Sequence, residues 1–285
     1  MSTPNNKQHK PIWLKKKLPQ TANYAIVKDI VAKNKLHTIC TSGNCPNIGE
    51  CWDSGTATFM ILGDICTRSC KFCAVKTGKP EPIDFEEPQR IAQSVKLMNL
   101  KHCVITSVDR DDLPDGGADI WAKTIVAIKE TNPNITIEVL IPDFSYDIIS
   151  LQMIVEAKPT IISHNLETTK RLTSLVRSKA KYERSLQVLK YLAEAGCKTK
   201  SGIMAGLGET ETEVSEKKDD LLSVGCKIMT IGQYLQPTKD NYPVFEYVSP
   251  QTFEKYKEMG IKKGFRFIES APLVRSSYLA EKHIY

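Results

Sequence analysis

The chain has 285 residues, 41% hydrophobic and 25% charged, with a formal net charge of +6. That length sits at or just above the size at which one core stops growing, and the composition is ordinary for a globular domain. No run of eighteen apolar residues occurs, so no membrane-spanning helix is expected, and the polar, Lys-rich start MSTPNNKQHKPIWLKKKLPQ is unlike a secretory signal.

A cytoplasmic location follows as the expectation. In that compartment thiols stay reduced, so nine cysteines read as ligands, catalysts or buried apolar residues rather than disulfides. The first segment carries Lys7, Lys10, Lys15, Lys16 and Lys17, a basic arm suited to steering an acidic partner. The remainder lacks the aromatic–basic interleaving of single-strand binders, and no nucleic acid partner is expected.

Next come three cysteines spaced Cys40-x4-Cys45-x5-Cys51, set in an irregular Gly, Pro, Asn and Ser-containing loop. By themselves they fit a zinc site completed by His37, three unrelated buried thiols, or a cluster lacking one ligand. The apolar run TATFMILG (56–63) predicts a first strand, and directly after it stand Cys66-x3-Cys70-x2-Cys73.

From there strands and helices alternate. Strands are predicted over 102–108, 134–141, 160–166, 198–206 and 227–235, and helices over 86–100, 118–132, 146–157, 181–196 and 210–225. Leu186, Leu189 and Ala193 form one apolar stripe, Pro88 and Thr210 mark helix starts, and Gly196 and Gly225 occupy helix-terminating positions. Strands alternating with helices make a parallel α/β sheet with right-handed crossovers.

Six units predict a partial (βα)6 TIM-like barrel over 56–248, with an N-terminal extension over 1–55 and a C-terminal extension over 249–285. A doubly wound open sheet fits the alternation almost as well. In both, chemistry belongs at the C-terminal ends of the strands, where the second triplet falls. Cys103, Cys197 and Cys226 lie in or beside strands and read as small buried apolar residues.

Structural zinc wants four ligands, usually as paired CxxC knuckles, and the loop Cys66-Thr-Arg-Ser-Cys70-Lys-Phe-Cys73 offers three thiolates with no fourth Cys or His. A [4Fe–4S] cube on three thiolates leaves one iron open to a substrate or cofactor. With Phe72 as the aromatic before the last cysteine, the loop resembles the CxxxCxΦC signature of the radical S-adenosylmethionine superfamily.

The end of the chain, APLVRSSYLA (271–280), narrows this. A CX4CX5C triplet, a CX3CX2C triplet and a C-terminal RSSY together resemble the lipoyl synthase family. Further blocks of that resemblance are ITSVDRDDLPDGGAD (105–119), SHNLET (163–168), KSGIMAGLGET (200–210) and GQYLQPT (232–238).

The resemblance implies two [4Fe–4S] clusters and S-adenosyl-L-methionine. One cluster would sit on Cys66, Cys70 and Cys73 beside the cofactor, and an auxiliary one on Cys40, Cys45, Cys51 and Ser276, with Ser277 as the neighbouring alternative. Alkoxide is a harder ligand than thiolate, so the serine corner is expected to be the labile one. Arg275 is expected to stabilise the freed serine or a substrate carbonyl. Ser107, Asp109, Asn165 and Glu167 would reach the cofactor's amino group, ribose or carboxylate, and Arg177 an anionic group.

The implied activity is a radical sulfurtransferase that inserts sulfur at carbons 6 and 8 of a protein-bound octanoyl-lysine. The auxiliary cluster would donate the sulfur. Implied partners are an octanoylated lipoyl-carrier protein, either a lipoyl domain or a glycine-cleavage H-type protein, and a low-potential electron donor. The competing readings are another radical sulfur-inserting enzyme and a non-catalytic zinc-stabilised binding module.

Overall fold

A computed structural model describes residues 9–15, 22–53, 56–278 and 280–283. Of the basic arm, Lys7, Lys16 and Lys17 lie outside the described residues. The chain divides into two compact units, one formed by residues 18–68, 74–163 and 279–285, the other by 1–17, 69–73 and 164–278.

In the first unit, helix α1 (Ala22–Lys33) leads to the short strand β1 (His37–Thr38) and to two short helices, α2 (Ile39–Ser42) and α3 (Ile48–Asp53). Strand β2 (Thr58–Ile61) follows and pairs antiparallel with β1, Thr38 opposite Phe59. A two-residue parallel pair, β3 (Ile65–Cys66) and β4 (Lys76–Thr77), clasps the two ends of the second cysteine loop.

Next come α4 (Glu87–Leu97), β5 (His102–Ser107), α5 (Ala118–Thr131), β6 (Thr136–Leu140), α6 (Ile148–Glu156) and β7 (Ile161–Ser163). Strands β2, β5, β6 and β7 pair in parallel, with Phe59 opposite Ile105, Cys103 opposite Ile137 and Val139 opposite Ile162. Their side chains are almost wholly buried, as both-sided cover of a parallel sheet requires. Helices α4, α5 and α6 pack in succession, burying Ile91, Val95, Trp121, Ile125, Leu151 and Ile154.

The second unit carries α7 (Lys170–Val176), α8 (Tyr182–Glu194), β8 (Thr199–Ala205), α9 (Glu211–Ser223), β9 (Ile228–Gln233), α10 (Pro250–Lys263) and β10 (Phe267–Ser270). Strands β8, β9 and β10 run parallel, Ser201 and Ile268 both registering with Met229. The core gathers Leu189 of the predicted stripe with Val214, Leu221, Met229, Ile231, Phe253 and Ile268. Thr210 caps α9 in a reciprocal box with Glu213. Gly196 and Gly225 take left-handed φ values of 81° and 80° where the preceding helices end.

All six predicted strands and five predicted helices are present. Residues 249–278, expected as part of an extension, hold a further helix and strand, α10 and β10, and β10 pairs with β9 as an additional parallel strand. Cys103 and Cys226 are fully buried, as expected; Cys197 is only half-buried.

Candidate active site

The upstream triplet is set by two helix turns. Thr38 caps α2, its Oγ1 accepting from the Thr41 amide at 3.2 Å, and Cys40 sits buried in the turn that follows. The Cys45 amide donates back to the Cys40 carbonyl at 3.0 Å, and the Cys51 amide on α3 donates to the Asn47 carbonyl at 2.9 Å. Burial pushes the Cys40 thiol up, and neighbouring Cys45 pushes the same way. A bound metal cation would outweigh both by compensating the thiolate charge.

The second triplet leaves β3 at Cys66. Its sulfur accepts backbone N–H groups from Arg68 at 3.4 Å and Asp109 at 3.3 Å, and lies 3.8 Å from Asp109 Oδ2. Amides aimed at a sulfur favour its thiolate form, whereas a carboxylate beside it favours the thiol. The adjoining Arg68 side chain is 4% exposed. It donates through Nε and Nη2 to Asp111, both at 2.8 Å, through Nη2 to Asp143 at 2.8 Å, and pairs with Asp109 at 3.3 Å. Thr67 adds backbone and hydroxyl bonds to the Asp109 carbonyl, at 3.0 and 2.9 Å. These partners come from the chain just beyond β5 and β6, so strand ends of this unit fix the start of the loop.

Cys70 and Cys73 belong with the other unit. Cys70 Sγ is 3.8 Å from Ser178 Oγ. Lys71 donates its amide to the Val176 carbonyl at 2.8 Å. Phe72, the aromatic of the signature, packs against the cluster of Leu172, Val176, Leu207 and Tyr234. The aromatic therefore plugs the loop into the apolar wall of its own unit.

Among the described residues, no group of three or more Cys, His, Asp or Glu side chains stands close enough to hold a metal ion. The donor chemistry nevertheless suits a thiolate-held cluster. The six cysteines of the two triplets are free and buried or half-buried, and amides point at one of the sulfurs.

The remaining expected residues lie at strand ends. Ser107 ends β5, and its buried hydroxyl has no hydrogen-bond partner. Asp109 faces Arg68 and Cys66. Asn165, 6% exposed, donates through Nδ2 to Ser276 Oγ at 2.7 Å. The first serine of RSSY is thus tied to a residue expected at the cofactor. Glu167 has φ of 65° and exchanges backbone bonds with Gly202 and Met204 of β8 at 3.0 and 2.8 Å. Burial pushes its carboxyl up, and Arg177 opposes that shift. Arg177 itself ends α7, with Nη1 at 3.1 Å from Ser185 Oγ and 3.4 Å from the Leu166 carbonyl.

Arg275 donates to the Val274 carbonyl at 2.6 Å, and the tail lies so near β9 that a Cβ on Gly232 would meet the Val274 oxygen at 1.9 Å. Sequence reasoning missed Arg68, Asp111, Asp143 and Asn241. The acidic run VDRDD and an arginine inside the cysteine loop were the available signals for the first two of these.

Comparison with known proteins fixes the class. The Radical SAM superfamily description matches residues 60–221. Streptococcus suis SuiB bound to its precursor peptide SuiA superposes with a TM-score of 0.62 at 12% identity, over 90% of this chain and 54% of that one. HydG, a maturase of the [FeFe]-hydrogenase, gives 0.58 at 14% identity over 87% and 68%. The fold is the parallel α/β, partial TIM-barrel architecture of radical S-adenosylmethionine enzymes, whose cofactors are S-adenosylmethionine and [4Fe–4S] clusters.

Within that class the nearer relatives are of one kind. Lipoyl synthases from Phocaeicola vulgatus and Bacteroides thetaiotaomicron are each 61% identical, over 98% and 96% of this chain and 98% of theirs. The mitochondrial lipoyl synthase of Nematostella vectensis is 59% identical over 98% of this chain and 96% of its own. The chain belongs to the lipoyl synthase family.

Proposed function

We propose that this protein inserts sulfur at carbons 6 and 8 of an octanoyl-lysine on a lipoyl-carrier protein, with Cys66, Cys70 and Cys73 holding the radical-forming cluster. Cys40, Cys45, Cys51 and Ser276 hold the auxiliary cluster in this reading. When bound, the two clusters and S-adenosylmethionine supply a carbon-centred radical able to take hydrogen from unactivated carbon, together with the sulfur that replaces it.

The chain's own residues present ligands, orient the cofactor and exclude water. The observation that carries the reading is Cys66: its sulfur sits under two backbone amides at a strand end, beside an arginine pinned by three carboxylates. The two amides form a cradle for a ligand thiolate once a cluster's positive charge offsets the nearby Asp109 carboxylate. Asn165 and Glu167 supply an amide and a carboxylate for the cofactor's hydroxyl and amino groups. Arg177 offsets part of the burial penalty that pushes the Glu167 carboxyl up, and is available for the cofactor's own carboxylate.

Ser276, hydrogen-bonded to Asn165, has its oxygen held in place as a hard ligand that releases more readily than cysteine. The carrier is a lipoyl domain or a glycine-cleavage H-type protein, electrons come from a low-potential donor, and the site of action is the cytoplasm. Among the described residues no helix is long and apolar enough to cross a membrane.

The test is anaerobic reconstitution followed by incubation with S-adenosylmethionine, a reductant and an octanoyl-lysine peptide. Mass spectrometry is expected to find two sulfur atoms added per peptide. Methionine and deoxyadenosine without sulfur on the peptide would leave a radical enzyme of another specificity.

A further inference from the structure

The loop over residues 236–244 has no role in the function described above, yet it bonds directly to the second cysteine triplet. Asn241 Nδ2 donates to the carbonyl of Lys71 at 3.1 Å and to the carbonyl of Cys73 at 3.0 Å. The orientation of this amide is determined by its partners. Asn241 Oδ1 accepts from the Thr238 backbone amide at 3.1 Å and from Thr238 Oγ1 at 2.8 Å. A backbone N–H only donates and a carbonyl only accepts, so the NH2 end must face Lys71 and Cys73.

The clamp is itself braced. Gln236 Nε2 donates to the Asn241 carbonyl at 2.9 Å, the Tyr242 amide donates to the Lys71 carbonyl at 2.8 Å, and Tyr234 OH donates to the Tyr242 carbonyl at 2.6 Å. Within the triplet, the Cys73 amide closes a turn on the Cys70 carbonyl at 3.0 Å. The peptide groups around Cys70 and Cys73 are therefore fixed by one side-chain amide and its neighbours. None of these contacts involves a sulfur atom.

We propose that Asn241 is a positioning residue for the radical-forming cluster, its amide holding the carbonyls of Lys71 and Cys73 so that Cys70 and Cys73 are presented as ligands. The proposal rests on the reading of Cys66, Cys70 and Cys73 as ligands. Ordering a loop costs conformational entropy, and a scaffold that meets this cost before the metal arrives raises metal affinity correspondingly. Replacing the amide by a carboxylate turns two hydrogen bonds into two oxygen–oxygen repulsions at nearly constant volume.

The experiment compares wild type, Asn241→Asp, Asn241→Ala and Cys70→Ala after anaerobic reconstitution. Iron and sulfide are counted, and the electron paramagnetic resonance of the reduced protein is recorded with and without S-adenosylmethionine. Wild type is expected near eight irons per chain. Asn241→Asp is expected to fall to about four, keeping the auxiliary cluster and losing the spectral change on S-adenosylmethionine addition, with Asn241→Ala between.

Full iron and an unaltered S-adenosylmethionine response in Asn241→Asp would overturn the proposal. Equal loss from both clusters would also overturn it, since that marks a general folding role. If Cys70→Ala itself retains all its iron, the ligand reading fails, and the role of Asn241 fails with it.

Discussion

Arg68 and Lys218 are both buried cations, one in each unit, and their surroundings differ sharply. Arg68 meets three carboxylates, two oxygens of Asp111 among them, all within 3.3 Å. Lys218 meets no carboxylate oxygen at bonding distance: its Nζ lies 3.7 Å from the Met259 sulfur and 5.0 Å from the Tyr256 ring centre. Burial, reinforced by Lys263, lowers its pKa to about 8. A buried charge is retained cheaply only where its partners are buried with it. The paired cation lies between two cysteines of the proposed radical site; the unpaired one lies on α9, where its desolvation is a net cost.

The largest effect is expected from breaking the paired site. Arg68→Met strands Asp143 and Asp111 without their cation and should cost about 3–5 kcal/mol. Thermal unfolding should show it almost unchanged between low and moderate salt, because buried pairs are screened little. Arg68→Lys keeps the charge but not the two-pronged geometry and should recover only part of the loss.

The smaller effect has the opposite sign. Lys218→Met should stabilise the protein by about 1–3 kcal/mol at pH 7, since removing a depressed amine removes its desolvation cost. The pH dependence sharpens the comparison. A lysine whose folded pKa is depressed binds fewer protons folded than unfolded, so wild-type stability rises with pH between about 8 and the ordinary value of 10.5. The advantage of Lys218→Met should shrink across that window. A constant advantage, measured by denaturant unfolding, would mean that Lys218 is not the titrating group.

The same contrast explains what could be read from sequence. Local signals were legible: the stripe around Leu189, the helix start at Thr210, and the left-handed residues at Gly196 and Gly225 each need only a few neighbouring residues. Strand β10 was not, because Phe267–Ser270 is four residues long and owes its place to β9, some forty positions earlier. Helix α1 was missed for a related reason: its ANYAIVKDIVAK has no strong apolar stripe.

At the site the cysteines declared themselves by spacing. The partners that hold them did not, since Arg68 with Asp143 and Asn241 with Lys71 are separated by 75 and 170 residues. Spacing points to candidate ligands; the contacts that present them appear only on folding.

The central claim is that two separate cysteine sets each build an iron–sulfur cluster. It is tested most directly by metal and sulfide analysis of the anaerobic protein beside the variant lacking Cys66, Cys70 and Cys73. The account predicts about eight irons with matching sulfide in the wild type and about four in the variant, with S-adenosylmethionine cleavage abolished. A zinc ion without sulfide in the wild type, or undiminished iron in the variant, would contradict it.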